Sequence, residues 1–384
     1  MVTPVPKDRR EGASAPLVPF LLYFLKLGTI GFGGPIALAG YMQRDLVETH
    51  HWISKEDYLE GLALAQLAPG PLAAQLAIYL GFVRAGFIGA TLVGFVFILP
   101  SFVMVLALGA AYVRYGGLSW MQAVFYGIGA AVIAIIARAA AKLIRVVLGK
   151  DKLLWLIFLA LAVSTAITQR EIAWLFVAAG FLSLLVKALP RQLPKGQIMP
   201  LLMAGFGVPL SGTFWQLLLF FTKASLFVFG SGLAIVPFLH GGVVQEHHWL
   251  TERQFVDAVA VAIITPGPVV ITVAFIGYLV AGPSGAMAAA IGVFLPIYLV
   301  VVVLAPYYQR FAKNRQLHAF VQGVTAAATG AIAGAVVVLG RGSIRDLPTG
   351  LIAAGSLLVL IRWKVSEPLI ITVAGALGLL LRHA

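Results

Sequence analysis

Long apolar runs, separated by short polar or charged stretches, fill almost the whole chain. They fall near 17–41, 58–83, 86–113, 121–147, 153–168, 171–188, 212–239, 255–281, 285–308, 320–340, 348–361 and 367–382. Most reach the roughly 20 residues a helix needs to cross the bilayer core. They do not alternate in polarity as the ~10-residue strands of a membrane barrel would. The pattern predicts an all-α integral membrane protein. The pairs 153–168/171–188 and 348–361/367–382 are short and are expected to be steeply packed spans or incomplete hairpins. Between the halves, Pro190, Pro194 and Pro200 alternate with Lys187, Arg191 and Lys195, which reads as a linker. The expected organisation is a polar tail at 1–16, a first transmembrane repeat at 17–188, a linker at 189–211 and a second repeat at 212–384.

The two halves repeat. His51-Trp52 recurs as His248-Trp249, Pro69-Gly70-Pro71 as Pro266-Gly267-Pro268, and Phe24-x-Lys26 as Phe221-x-Lys223, each 197 residues on (249 − 52, 266 − 69, 223 − 26). Gly86-x-x-Gly89-Ala90 recurs as Gly282-x-x-Gly285-Ala286, Leu99-Pro100 as Leu295-Pro296, Gln122 as Gln322 and Glu171 as Glu367. A nearly constant offset of this kind marks an internal duplication, and many transporters place their substrate between two such repeats.

Composition agrees. Hydrophobic residues make up 61% and charged residues 11%, against roughly 45–50% and about 25% in soluble domains. An ordinary soluble enzyme, a disordered chain and a coiled coil are excluded. The chain has no cysteine, so thiol catalysis, thiolate metal sites and disulfides are excluded too. The net charge of +13 reads first as an orientation signal, since no basic stripe with interleaved aromatics suggests nucleic acid. The N-terminal stretch lacks the apolar core and cleavage site of a signal peptide, so the first apolar run is expected to stay.

With the N-terminus inside and six crossings per half, the first half carries twelve Lys/Arg inside and four outside (Arg44, Lys55, Arg114, Arg170). The same parity in the second half leaves three inside (Arg341, Arg345, Arg382) and six outside, so the bias reverses. Inverting the second repeat restores it. That needs an odd number of crossings first, through one re-entrant segment or an extra crossing at 198–210.

Candidate chemistry follows. Lys26 lies nine residues past Leu17, roughly 14 Å along a helix, which is close to the half-thickness of about 15 Å. Lys223 has a similar depth. A mid-membrane lysine costs upwards of ~2.5 kcal/mol and points to function; the alternative is snorkelling to an interface. Pro69-Gly70-Pro71 and Thr265-Pro266-Gly267-Pro268 should interrupt helices near the midplane, because proline lacks an N–H and clashes with the preceding turn. The half-helix restarting at Leu72 would expose N–H groups that favour anions, with Gln66 and Thr265 adding an amide and a hydroxyl. The alternative is a pair of packing kinks. The clusters Gly33/Gly34 and Gly230-Ser231-Gly232 can aim backbone N–H groups at a ligand or let helices pack closely. Donors and cations without competing buried carboxylates suit an anion with several acceptor oxygens.

Glu60 and Asp257 occupy equivalent positions and are the proton-coupling candidates; each can also be a solvated helix-start charge. His50-His51 and His247-His248, beside tryptophans, read as interface groups, and no metal or cofactor site is expected. No serine–histidine constellation or His-Glu-x-x-His motif suggests an enzyme.

The segments Phe24-x-Lys26-Leu-Gly28, Gly31-Phe-Gly33-Gly34-Pro35, His51-Trp52 and Gln66-Leu-Ala-Pro69-Gly70-Pro71 resemble the chromate ion transporter family. The second half adds Phe227-Val-Phe-Gly230-Ser-Gly232, His248-Trp249-Leu and Thr265-Pro266-Gly267-Pro268. The resemblance runs from about 18 to 382 and suits the family's two-domain members. It implies chromate efflux across the bacterial inner membrane, driven by the proton motive force, with sulfate as a related oxyanion and the two domains oppositely oriented. Sulfate transport and a passive anion channel are the alternatives. A homodimer is left open.

Overall fold

The structure is a computed structural model that describes residues 16–169, 172–188, 212–226, 229–230, 235–307, 314–363 and 365–383. The expected linker at 189–211, with its candidate crossing at 198–210, lies outside the described residues. The described elements are helical apart from two two-residue strands. In the first half they are α1 (Leu17–Ile30), α2 (Gly34–Met42, continued by a π-helical turn Gln43–Thr49), α3 (Lys55–Leu67), β1 (Gly70–Pro71), α4 (Leu72–Tyr115), α5 (Ser119–Val147), α6 (Lys152–Thr168) and α7 (Ala173–Lys187). In the second half they are α8 (Thr213–Ser225), β2 (Phe229–Gly230), α9 (Ile235–His240, continued by a π-helical turn Gly241–Glu246), α10 (Glu252–Ile264), a 3-10 turn Val269–Ile271, α11 (Thr272–Leu304), α12 (Arg315–Ser343), α13 (Leu347–Arg362) and α14 (Glu367–His383).

Local sequence sets the helix starts. The Ser54 side chain accepts from the Asp57 N–H at 3.0 Å and opens α3. Thr251 and Gln254 form a reciprocal capping box at α10. Asp151 caps α6 by accepting from Leu153 and Leu154. The histidine–tryptophan pairs end the π-helical turns. His51 and His248 take the left-handed region, at φ 52° and 51°, while His50 stacks on Trp52 and His247 on Trp249 at 4.5 and 4.3 Å. That structural duty accounts for the recurrence of these pairs, and among the described residues no cluster of His, Asp or Glu could hold a metal ion.

Two of the long apolar runs do not run straight. They fold back. A Cβ on Gly61 of α3 would sit 2.3 Å from the ring of Tyr79 in α4, and Tyr79 donates to Glu60 at 3.4 Å. The two arms are therefore antiparallel, with Pro69-Gly70-Pro71 at the tip. Phe20 near the start of α1 likewise meets Trp52, beyond α2, at 6.2 Å. The turn at Gly31–Gly33 thus returns the chain to the end it came from. Arg44 and Lys55 lie at that same end, and the assignment of six crossings to this half, which placed them outside, does not hold. The reason is backbone chemistry: Gly33 and Gly34 adopt φ of 106° and 75°, a region closed to most L-residues.

A second reversal divides α4. Its backbone leaves helical geometry at Ala85 and Gly86, with Gly86 at φ 60° and ψ −144°. The two arms then pack so closely that a Cβ on Gly89 would lie 2.1 Å from the Gly81 carbonyl. The equivalent residues of α11 repeat this at Ala281 and Gly282, with Gly277 and Gly285 in mutual contact. Small residues allow such contact where no hydrophobic force draws helices together.

The long arms of α4 and α11 run antiparallel. Thr91, early in one, lies 2.8 Å from the hydroxyl of Tyr298, late in the other. Gly109, late in α4, packs on Tyr278 just before the α11 reversal. The halves also exchange partners: α12 packs on α6 and α7, while α5 packs on α13 and α14. At one end of the bundle Lys187 pairs with Asp151, flanked by Lys150 and Lys152. At the other end Arg253 at the start of α10 donates to the Gln122 carbonyl near the start of α5 (3.2 Å), and Tyr126 donates to Asp346 (2.7 Å). Among the described residues, α4, α5, Val269–Leu304 and α12 are long and apolar enough to cross a membrane.

Candidate substrate site

The turns of the folded-back hairpins meet inside the bundle, each against a turn of the other half. Gly70–Pro71 pairs in parallel with Phe229–Gly230. In the equivalent contact, the Gly267 N–H donates to the Gly31 carbonyl at 2.9 Å. Such pairings supply backbone partners where proline has removed donors.

Side chains that sequence reasoning passed over hold these turns. Ser101 of α4 is fully buried, with its hydroxyl 2.8 Å from the Pro266 carbonyl and 3.2 Å from the Gly28 carbonyl. Gly267 has φ 94°, and a Cβ there would lie 2.1 Å from Ser101 Oγ. Gln75, also fully buried, donates to the Pro69 carbonyl at 2.7 Å, while its Oε1 is buried without a protein hydrogen bond. The only sequence signal for either was a polar residue inside an otherwise apolar run.

The predicted residues do not all gather at the turns. Pro69, Gly70, Pro71, Pro266, Gly267, Pro268 and the Gly230 backbone form the joined turns, with Gly33 and Gly34 in the adjoining one. Thr265 is buried beside its turn, but its hydroxyl donates to the Val261 carbonyl at 2.7 Å, leaving only acceptor capacity toward a ligand. Lys26 is exposed on α1, as is Thr29, with Phe32 and Gly33 exposed just beyond its end, and Lys223 is half-buried on α8. Gln66 faces away from the turns, into a crevice between α3, the end of α5 and the start of α12. Ser231 and Gly232 lie outside the described residues.

The two acids are not at the turns. Glu60 and Asp257 each precede the following Pro-Gly-Pro by nine residues (69 − 60, 266 − 257), roughly 14 Å of helix. Asp257 is buried, and Tyr112 of α4 donates to its carboxylate at 2.7 Å. A cavity of about 140 Å³ reaches it from the Tyr126 end, lined by Arg253, Arg345, Asp346 and Arg382.

An all-α, multi-pass chain whose glycine- and proline-rich turns converge between long apolar helices has the build of a membrane transport protein. The family follows from comparison: the chromate transporter family profile matches residues 18–184 and 215–379, and the chain belongs to that family. It is 58% identical over 394 residues to a chromate transport protein of Cupriavidus metallidurans, covering 99% of this chain and 98% of that one. It is 57% identical over 370 residues to a probable chromate transport protein of Synechococcus elongatus (93% and 94% covered). A chromate transport protein of Pseudomonas aeruginosa is 31% identical over 383 residues (92% and 90% covered). No solved structure matches. Membership makes this a transport protein rather than an enzyme.

Proposed function

We propose that this chain is a secondary active transporter of the bacterial inner membrane that exports chromate, a tetrahedral dianion, at the expense of the proton gradient. The chromate transport proteins it matches along nearly their whole length support the substrate. The observation that carries the mechanism is the pairing of turns from opposite halves, at Gly70–Pro71 with Phe229–Gly230 and at Gly267 with Gly31.

The two halves act as inverted repeats. Antiparallel long arms of α4 and α11, and the gathering of α10 and the first turns of α5 at one end, support this arrangement. The lysine-rich end is cytoplasmic, as positive-inside orientation requires. The first-half hairpins then enter from the cytoplasm, the second-half hairpins from outside, and their turns meet near the midplane. There the substrate oxyanion faces backbone N–H groups at the starts of α2, α4 and α11 and at Gly230. Lys26 and Lys223 supply positive charge. Ser231 orients an oxygen by its hydroxyl, and Gln66 donates on the approach. Asp257 carries the coupling proton, with Glu60 as its counterpart in the first repeat.

The test is flux from proteoliposomes of purified protein, loaded with chromate, under an imposed pH gradient. Flux that follows the gradient and falls in Lys26→Ala is expected. Flux indifferent to the gradient would make the protein a channel, sulfate flux without chromate flux would change the substrate, and no oxyanion flux from folded protein would end the transport reading.

A further inference from the structure

The crevice that receives Gln66 has a volume of about 310 Å³ and lies at the lysine-rich end of α5. Its polar lining comes from two elements: Gln66 on α3, and His318, Gln322 and Thr325 on α12. No carboxylate lines it. Of the acids nearby, Asp151 is engaged by the Lys187 ammonium and by the first N–H groups of α6, and Glu60, one turn before Ala63 on α3, accepts from Tyr79 at 3.4 Å. Lys187 also donates to Gln322 Oε1 at 2.9 Å. With its oxygen held, the Gln322 amide has its NH₂ group left to offer. Thr325 donates to the Val321 carbonyl and presents an oxygen only. The crevice therefore presents the amide groups of Gln66 and Gln322 together with the His318 ring, and it stands beside Lys187, Lys150 and Lys152, whose field concentrates anions. Its inner wall, Gln66, is three residues from Pro69 and the paired turns.

The geometry points to a second oxyanion subsite here, a cytoplasmic loading site in which Gln66, His318 and Gln322 hold a tetrahedral oxyanion before it reaches the turns. This rests on the transport reading above, and it adds residues that reading did not use. Gln322 repeats Gln122, but Gln122 lies at the far end of the bundle, where its carbonyl accepts from Arg253. The loading site is thus a feature of one face alone. A cavity of 310 Å³ accommodates the anion with several waters, each taking about 30 Å³, so the ion can shed its hydration stepwise.

The absence of cysteine makes a direct test available. Ala63→Cys places a thiol in the crevice wall without removing a donor. Purified variant in oriented proteoliposomes is treated with a sulfonate-bearing methanethiosulfonate applied to one face at a time, and chromate flux is then measured. Modification from the cytoplasmic face only, with flux reduced about tenfold, is expected; cysteine-free protein treated alike keeps its flux. Modification only from the opposite face, no modification, or modification without loss of flux overturns the subsite. Independently, Gln322→Glu should raise the chromate KM about tenfold, since it sets a carboxylate where a donor stood, and Gln322→His should retain most of the affinity. Unchanged KM in Gln322→Glu overturns the assignment even if the thiol result agrees. Absence of chromate flux in the unmodified wild-type protein would instead overturn the transport reading on which the subsite rests.

Discussion

Ser101 Oγ lies 2.8 Å from the carbonyl oxygen of Pro266, so a hydroxyl from the first half holds the Pro-Gly-Pro turn of the second. At the position 196 residues on, Ile297 performs the converse contact: a Cβ on Gly70 would lie 3.0 Å from its Cγ1. Gln75 also donates to the Pro69 carbonyl at 2.7 Å, so each turn accepts a side-chain hydrogen bond, the first from its own half and the second from the opposite half. The duplicated halves therefore share a backbone plan and differ in the side chains that secure it.

Removing the hydroxyl should leave a buried carbonyl without its partner. Ser101→Ala is expected to destabilise the protein by about 1–3 kcal/mol, read as a lowered thermal midpoint in detergent. Gly267→Ala should be worse, because its φ of 94° is unfavourable for alanine and the new Cβ would meet Ser101 Oγ. Chromate flux should fall in both, more in Gly267→Ala. Wild-type stability and flux in the pair would show that this turn tolerates displacement.

Lys26 tests the electrostatic part of the site. A charge-assisted hydrogen bond contributes about 1.5–3 kcal/mol, so Lys26→Ala should weaken chromate binding about 10- to 100-fold. Lys26→Arg should keep most of the affinity, since the charge survives. Titration of the purified variants against chromate decides it, and unchanged affinity in Lys26→Ala would remove that residue from the site.

Asp257 tests the coupling. Its carboxylate is buried and held by Tyr112, on a helix that also meets the paired turns. Asp257→Asn should leave chromate binding intact while flux stops responding to an imposed pH gradient. Glu60→Gln, at the half-buried equivalent position, should have the smaller effect on that ratio. A normal gradient response in Asp257→Asn would place the coupling proton elsewhere.

Asp151 predicts a pH dependence of stability rather than transport. Its hydrogen bond to Lys187, with those from the backbone of Leu153 and Leu154, holds its carboxyl below the ordinary carboxylate range. A carboxylate whose folded value is depressed stabilises the fold above the unfolded pKa of about 3.9. That contribution is lost as the pH falls through the lower, folded value. Asp151→Ala should destabilise the protein at neutral pH by about 1 kcal/mol for the lost cap, read as a lowered thermal midpoint. The difference from wild type should shrink below about pH 4. A difference that is constant with pH would show that the carboxylate's charge contributes nothing.

Much of this was legible in the residues. Apolar runs of near-bilayer length gave the helical membrane class, because an unpaired backbone in lipid costs several kcal/mol and helices satisfy it internally. The helix starts at Ser54 and Thr251, the interruptions at the two Pro-Gly-Pro turns and the kinship of the halves all follow from local rules: caps, missing N–H groups and a constant spacing. Family membership followed from the same motifs.

What local rules could not settle was direction. A Pro-Gly-Pro turn is compatible with a bent span or with a hairpin, and the choice here depends on Gly61 admitting the ring of Tyr79 and on Gly81 and Gly89 admitting each other. The roles of Ser101 and Gln75, each a lone polar residue in an apolar run, depend on which carbonyls of distant turns arrive beside them. The place of Gln66 in the crevice rather than at the turns depends on the start of α12 arriving beside α3. Periodicity, caps and turn residues act over a few positions of the chain, so the sequence by itself determined the helix starts and the Pro-Gly-Pro breaks, while the reversal at Gly31–Gly33 inside the single run read at 17–41 emerged only in the structure. Which turns meet is set by contacts between residues nearly 200 positions apart, and only the tertiary packing decided that.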